Sequence, residues 1–206
     1  MQTSKVFLLV MLLSGSVHAG ELAGERRLVF QDQHDPNLVA FADGSELTVL
    51  YDDGVWEAVH ALAPGTEVQL GFDAELGTVL ALPEGGPRVP VVDDLGDQHP
   101  IALATEACLQ RKDSTLGMHE CLGEAIERWD LQLNLHYKRL TAGRSEETLA
   151  QVRTAQRAWM AWRDAQYEAF TALGSESGSL GGVINGQRRL AIIREQAVRL
   201  GALAAD

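Results

Sequence analysis

The feature that most constrains this fold is a heptad stripe between Leu149 and Leu173. Counted from Leu149, its inward positions are Leu149, Val152, Gln156, Trp159, Arg163, Gln166 and Phe170, and Leu173 closes the run. A 3.5-residue repeat of that length describes a helix packed along neighbouring helices. We therefore expect the stretch AQRAWMAWRDA, residues 155–165, to be the element around which the rest of the chain packs. Gln156 and Arg163 stand where apolar residues would be easier to desolvate, so each should meet a partner from another helix or lie beside a groove. Hydrogen bonds that fix helix register are the reading we prefer for both.

Upstream the pattern changes. From Gly20 to about Pro100, short and partly alternating runs such as Leu47-Thr48-Val49-Leu50 and Gly77-Thr78-Val79-Leu80-Ala81-Leu82 read as strands. Between them stand turn residues, Asp43-Gly44, Asp52-Asp53-Gly54, Pro64-Gly65 and Glu84-Gly85-Gly86-Pro87. The spacing predicts strands near 27–31, 37–41, 46–50, 55–60, 66–72, 77–82 and 88–92, making a small antiparallel barrel or sandwich. After a linker at 92–100, helices are expected over about 101–112, 116–141, 145–173 and 180–203, with a flexible loop, GSESGSLGG, at 174–182. Ser145 followed by Glu146 and Glu147 suits a helix start. The expected class is α+β: an acidic β-rich domain at 20–100, then an all-α bundle at 101–206.

The first 19 residues have secretory-signal form: Lys5, an apolar run from Val6 to Leu13, and small residues before cleavage near Ala19. Eight apolar residues fall well short of the roughly 20 that span a bilayer, so no membrane span is expected there. No cysteine follows the cleavage position, and a periplasmic or extracellular protein is the expectation. Both cysteines, Cys108 and Cys121, lie in the mature chain, as one disulfide in an oxidising compartment requires. On one unbroken helix they would stand about 20 Å apart, against a disulfide reach of about 7 Å between α-carbons. If they pair, the chain doubles back between them, and residues 112–115 supply the turn chemistry. Two free thiols, or a metal site joining Cys121 to His119, are the alternatives.

Charge divides the halves. Residues 20–100 carry 16 Asp and Glu against Arg26, Arg27 and Arg88, a formal −13, whereas residues 101–206 balance at zero. A field of that sign repels nucleic acid and steers a cationic protein inward.

The Cys108-x12-Cys121 spacing, then Asp130, Leu133-Asn134 and Tyr137, then Gln156, Trp159 and Arg163-Asp164, resembles the helical domain of the LprI-like lysozyme-inhibitor family over about residues 104–200. The resemblance implies a small secreted helical domain and, for some members, inhibition of host-type lysozyme. Asp130, Asn134, Tyr137, Gln156, Trp159, Arg163 and Asp164 are then motif residues with structural roles. Four-cysteine members place a third cysteine where this chain has Tyr167 and a fourth near Gly186, so Cys108–Cys121 would be an independent bond here.

No catalytic constellation stands out. There is no nucleophile elbow, no phosphate-binding loop and no HExxH spacing among His34, His60, His99, His119 and His136. Glu127, Asp130 and Asp164 are read as salt-link partners of Arg128, Arg163 and Arg194 rather than as an acid–base pair. We expect no enzyme, no cofactor and no metal. The first reading is a secreted binder and inhibitor of a protein partner, a basic lysozyme in the family's case. A non-catalytic envelope-binding or stress protein is the alternative, and an unrecognised hydrolase comes last. Tyr51, Asp52, Asp53 and Trp56, with Tyr167, are the candidate contacts, although we expect Trp56 itself to fill the barrel core.

Overall fold

The computed structural model describes residues 21–205, except residues 36, 51–54, 84, 93–94 and 176–177 and the side chains of residues 179 and 205. Six strands come first: β1 (Ala23–Asp35), β2 (Leu38–Phe41), β3 (Glu46–Thr48), β4 (Glu67–Asp73), β5 (Gly77–Ala81) and β6 (Arg88–Pro90). They form one antiparallel sheet in the order β3-β2-β1-β4-β5-β6. Its two edges meet. Val49 bridges Val91, the Leu50 amide donates to the Pro90 carbonyl at 2.8 Å, and Val92 donates to Thr48 at 2.8 Å. The sheet therefore closes into a small barrel, which removes its open edges. Strand β1 serves two partners, β4 with its first half and β2 with its second, and its register shifts let it turn that corner.

Alternation fills the barrel. Leu28 and Phe30 of β1 point inward while Arg27, Val29 and Gln31 stay exposed, and Val39, Leu47, Val68, Leu70, Leu80 and Val89 complete the interior. The strand expected at 55–60 is instead a short helix, α1 (Trp56–His60). Its inward residues are Val55 and Val59, four apart, which is the spacing of one helical face and not of a strand. Trp56 consequently lies outside the core, 48% exposed, which corrects our placing of it there.

The helical half comprises α2 (Pro100–Arg111), α3 (Thr115–Thr141), α4 (Glu146–Ser175) and α5 (Gly178–Ala205). Each start up to α4 has its cap: His99 Nδ1 accepts from the Ile101 amide, Ser114 Oγ from Gly117 and Ser145 Oγ from Thr148. Cys108 and Cys121 are bonded, with 5.7 Å between their α-carbons, and the chain doubles back between α2 and α3 to allow it. That rules out a Cys121 metal site, and the His119 ring lies against Gly182 of α5. The glycine-rich stretch at 174–182 also departs from expectation. Gly174 and Ser175 finish α4, and Gly178 to Gly182 open α5. Small residues here let α5 approach α3 closely: a Cβ on Gly182 or Gly186 would meet His119 or Leu122 within 2.9 Å. Packing overrides their poor helix propensity.

The centre of the bundle is α3, not α4. Cys121, Leu122, Ala125, Trp129, Gln132, Leu133, His136 and Leu140 of α3 are buried, whereas no residue of α4 is. The heptad positions of α4 do face inward, but all seven from Leu149 to Phe170 stop half-buried. α4 rests on α5 alone among its principal contacts, while α3 and α5 pack along their lengths.

The two halves are joined at the far end of the barrel. Phe72 shares a strand face with Val68 and Leu70 yet packs among Ile101, Trp129 and Leu133 in the helical core. Beside it runs a buried polar chain. Thr78 donates its amide to Gln132 Oε1 at 2.9 Å, and its hydroxyl meets His99 Nε2 at 3.1 Å. Gln132 Nε2 meets His136 Nε2 at 2.7 Å, and His136 Nδ1 donates to the Ala197 carbonyl at 2.8 Å. These groups carry hydrogen bonds where water cannot supply them.

Candidate functional site

Because α3 and α4 both lean on α5 and barely touch each other, a cleft of about 780 Å³ opens between them. Strand packing supplies one end of it. The turn from β4 to β5 places Ala74 and Glu75 on the rim, and Asp73 shapes that turn. The Asp73 carboxylate accepts from the amides of Glu75 at 2.7 Å and Leu76 at 2.9 Å, and it pairs with Arg88. Burial pushes the Asp73 carboxyl up, but those two amides and the Arg88 guanidinium outweigh it and hold the group below the usual carboxylate range. Gly77 completes the turn with φ of +83°, and a Cβ there would stand 2.3 Å from Gln132 Oε1. Arg139 of α3 then donates to the Leu76 carbonyl at 3.2 Å, tying the turn to the helix that forms the next wall.

Along α3, Glu127, Asp130, Leu131, Asn134, Leu135 and Lys138 face the cleft. Their spacing repeats every three or four residues, one face of a helix over about three turns. Asn134 donates to the Asp130 carbonyl at 2.8 Å and to its carboxylate at 3.1 Å, so the two side chains hold each other in place. From α4 come Arg163 and Tyr167, and Ile193 of α5 forms the floor. The Arg163 guanidinium donates twice to Asp164, at 2.9 and 2.7 Å, and lies over the rings of Trp159 and Tyr167 at 5.3 and 5.8 Å. Its charge is already answered on its own helix. Burial pushes the Tyr167 hydroxyl up in spite of Arg163 and Arg189 beside it.

Three motif residues, Asp130, Asn134 and Arg163, therefore line one cleft, and Asp164 and Trp159 hold Arg163 there. Gln156 lies higher on α4 and accepts from Gln196 of α5 at 3.1 Å. Tyr137 packs half-buried against the helical core. The α4–α5 contact near Tyr167 is made by hydrogen bonds: Tyr167 Oη to the Arg189 carbonyl at 3.5 Å and Asn185 Nδ2 to the Phe170 carbonyl at 2.6 Å. The salt links expected for Glu127 and Asp130 do not form. Arg128 pairs with Glu124 and Arg194 with Asp97, and only Asp164 has its expected arginine. Sequence reasoning missed Glu75, Leu131, Leu135 and Lys138 as cleft residues; the Glu127-Leu131-Leu135 spacing of four was the available signal for the α3 wall.

Trp56 is not among the residues that line this cleft. Trp56 stands on α1 with its ring stacked on His60 at 3.7 Å, and His60 is fixed in turn by the Trp56 carbonyl and Gln33. Tyr51, Asp52 and Asp53 lie outside the described residues. Among the described residues no three His, Cys, Asp or Glu side chains gather as a metal site would require, and no helix is long and apolar enough to cross a membrane.

No curated protein and no solved structure matches the chain. The helical half gives a different result: residues 106–200, which contribute every cleft residue except those of the β4–β5 turn, match the family described as lysozyme inhibitor LprI.

Proposed function

We propose that this chain is an exported, non-catalytic protein that binds and inhibits a lysozyme-type partner. The observation that carries the reading is the family match over residues 106–200, several of whose motif residues meet at one preformed cleft. The matched family is one of inhibitors, not of catalysts. The secretory form of the first 19 residues supports export, and the Cys108–Cys121 bond suits an oxidising compartment. On this reading residues 20–100 and 101–206 divide the labour. The barrel's formal −13 draws in a basic partner, and the helical half supplies the contact.

A lysis assay tests this with the purified chain from residue 20 onward, oxidised, at low and moderate salt. Inhibition of a basic host-type lysozyme that weakens as salt rises is the expected result, because long-range attraction is screened. Full lysis at both salt concentrations overturns the reading. A second reading, a non-catalytic envelope-binding or stress protein, is favoured by Trp56, an exposed aromatic ring stacked on His60, which Gln33 holds in turn. Retention on isolated cell-wall material, lost in a Trp56→Ala variant and without effect on lysozyme rate, would select it.

A further inference from the structure

We propose that the cleft between α3 and α4 receives a basic loop of the protein partner, with a lysine or arginine side chain lodged among Glu75, Glu127 and Asp130. The proposal rests on the inhibitor reading above and assigns its contact surface.

Charge at the cleft points one way. Glu75, Glu127 and Asp130 line it, and none of them is in an ion pair among the described residues. Of the two cations present, Arg163 is occupied by Asp164 and two aromatic rings, and Lys138 stands about three turns along α3 from Glu127. The local excess of carboxylate has the same sign as the barrel's field, so a cation steered towards the molecule would keep gaining as it approached this site. Leu131, Leu135 and Tyr167, each half-buried, add an apolar surface beside those charges, which suits a peptide segment better than a bare ion.

The site is also built in advance. Asp73 shapes the turn that carries Glu75, Arg139 ties that turn to α3, and Asn134 holds Asp130. A partner meeting fixed walls loses less freedom on binding than one that must order them. Contacts inside a preformed site chiefly set how slowly a complex dissociates, whereas charges away from it chiefly set how fast it forms. That distinction separates cleft from field.

Binding kinetics of the full mature chain with a basic host-type lysozyme decide the matter. The Glu75→Lys/Glu127→Lys double variant reverses two exposed cleft charges, and Glu25→Lys/Glu46→Lys makes the same change of charge on exposed barrel positions. Ala74→Trp narrows the cleft without changing charge. The cleft pair and Ala74→Trp should each raise the dissociation rate about tenfold or more, while the barrel pair slows association a few-fold and leaves dissociation unchanged. Thermal melts establish that all three remain folded; if Ala74→Trp does not, Glu127→Gln replaces it with a smaller change in the same direction. Should the wild type bind and the cleft variants dissociate at its rate, the cleft assignment falls and the inhibitor reading stands. Should the wild type not bind, both fall together.

Discussion

Asp73 shows how one side chain sets the geometry of a site it does not line. Its carboxylate gathers two turn amides and Arg88, and with them it positions Glu75. Because its folded pKa is depressed, the stability it confers is present above the ordinary carboxylate range, near pH 4, and is lost as pH falls through the folded value. Asp73→Asn keeps an acceptor but not the charge, so it should cost about 1–3 kcal/mol at pH 7 and progressively less towards pH 2–3. Chemical denaturation at both pH values checks this, and an equal cost at each contradicts it. Gly77 does related work through backbone shape. At φ of +83°, with Gln132 Oε1 where a Cβ would stand, Gly77→Ala must strain the turn and displace a buried amide. A loss of about 2–4 kcal/mol is expected from the two effects together, and a melting temperature within a degree of wild type would refute it.

At the scale of the element, α2 and α3 depend on the bond that staples them. Cys108 and Cys121 close a short loop, and replacing both by alanine should lower stability by about 3 kcal/mol, since the open chain regains the entropy that closure removed. Denaturant titration of the variant beside the oxidised wild type measures it; a loss under about 1 kcal/mol is inconsistent with the entropic estimate. The hairpin was legible in advance because two cysteines thirteen residues apart cannot pair along one helix. Most strand and helix positions were legible for the same kind of reason: turn residues and caps are local chemistry, read where they stand. Residues 55–60 were not, since a single helical turn and a short strand are both brief apolar runs. The prominence given to α4 had another cause. Its heptad stripe is real, but a stripe says which face turns inward and not how far in it goes. With Gln156, Arg163 and Gln166 on that face, α4 settles half-buried on α5, while α3, with Ala125, Trp129 and Leu133, takes the centre. Native-state amide exchange should therefore find α4 opening well below the global unfolding free energy and α3 exchanging only with it. Equal protection in the two helices contradicts that order.

At the scale of the whole molecule, the cleft itself was out of reach of sequence reasoning. Asp130, Asn134 and Arg163 could be named, but their meeting depends on α3 and α4 both leaning on α5, and on a barrel turn some fifty residues upstream forming the end wall. The boundary near Pro100 remains a proposal about topology, and the contacts across it argue against an energetic division. Phe72 of β4 is part of the helical core, and Thr78 of β5 gives its buried amide to Gln132 of α3. Cutting the chain there would leave Gln132 and His136 with a broken network and strip Phe72 from the apolar cluster around Trp129, costs of about 1–3 kcal/mol each against a total stability of about 5–15 kcal/mol. The two halves should therefore unfold together. Calorimetry of the oxidised mature chain should give one transition whose calorimetric and van't Hoff enthalpies agree, and a fragment of residues 101–206 should keep its helical circular dichroism while losing that cooperative transition. Two resolved transitions in the intact chain, or a sharp melt of the fragment at the parent's temperature, would mean that the interface holds the halves together without stabilising either. The end wall of the cleft would then be a movable part.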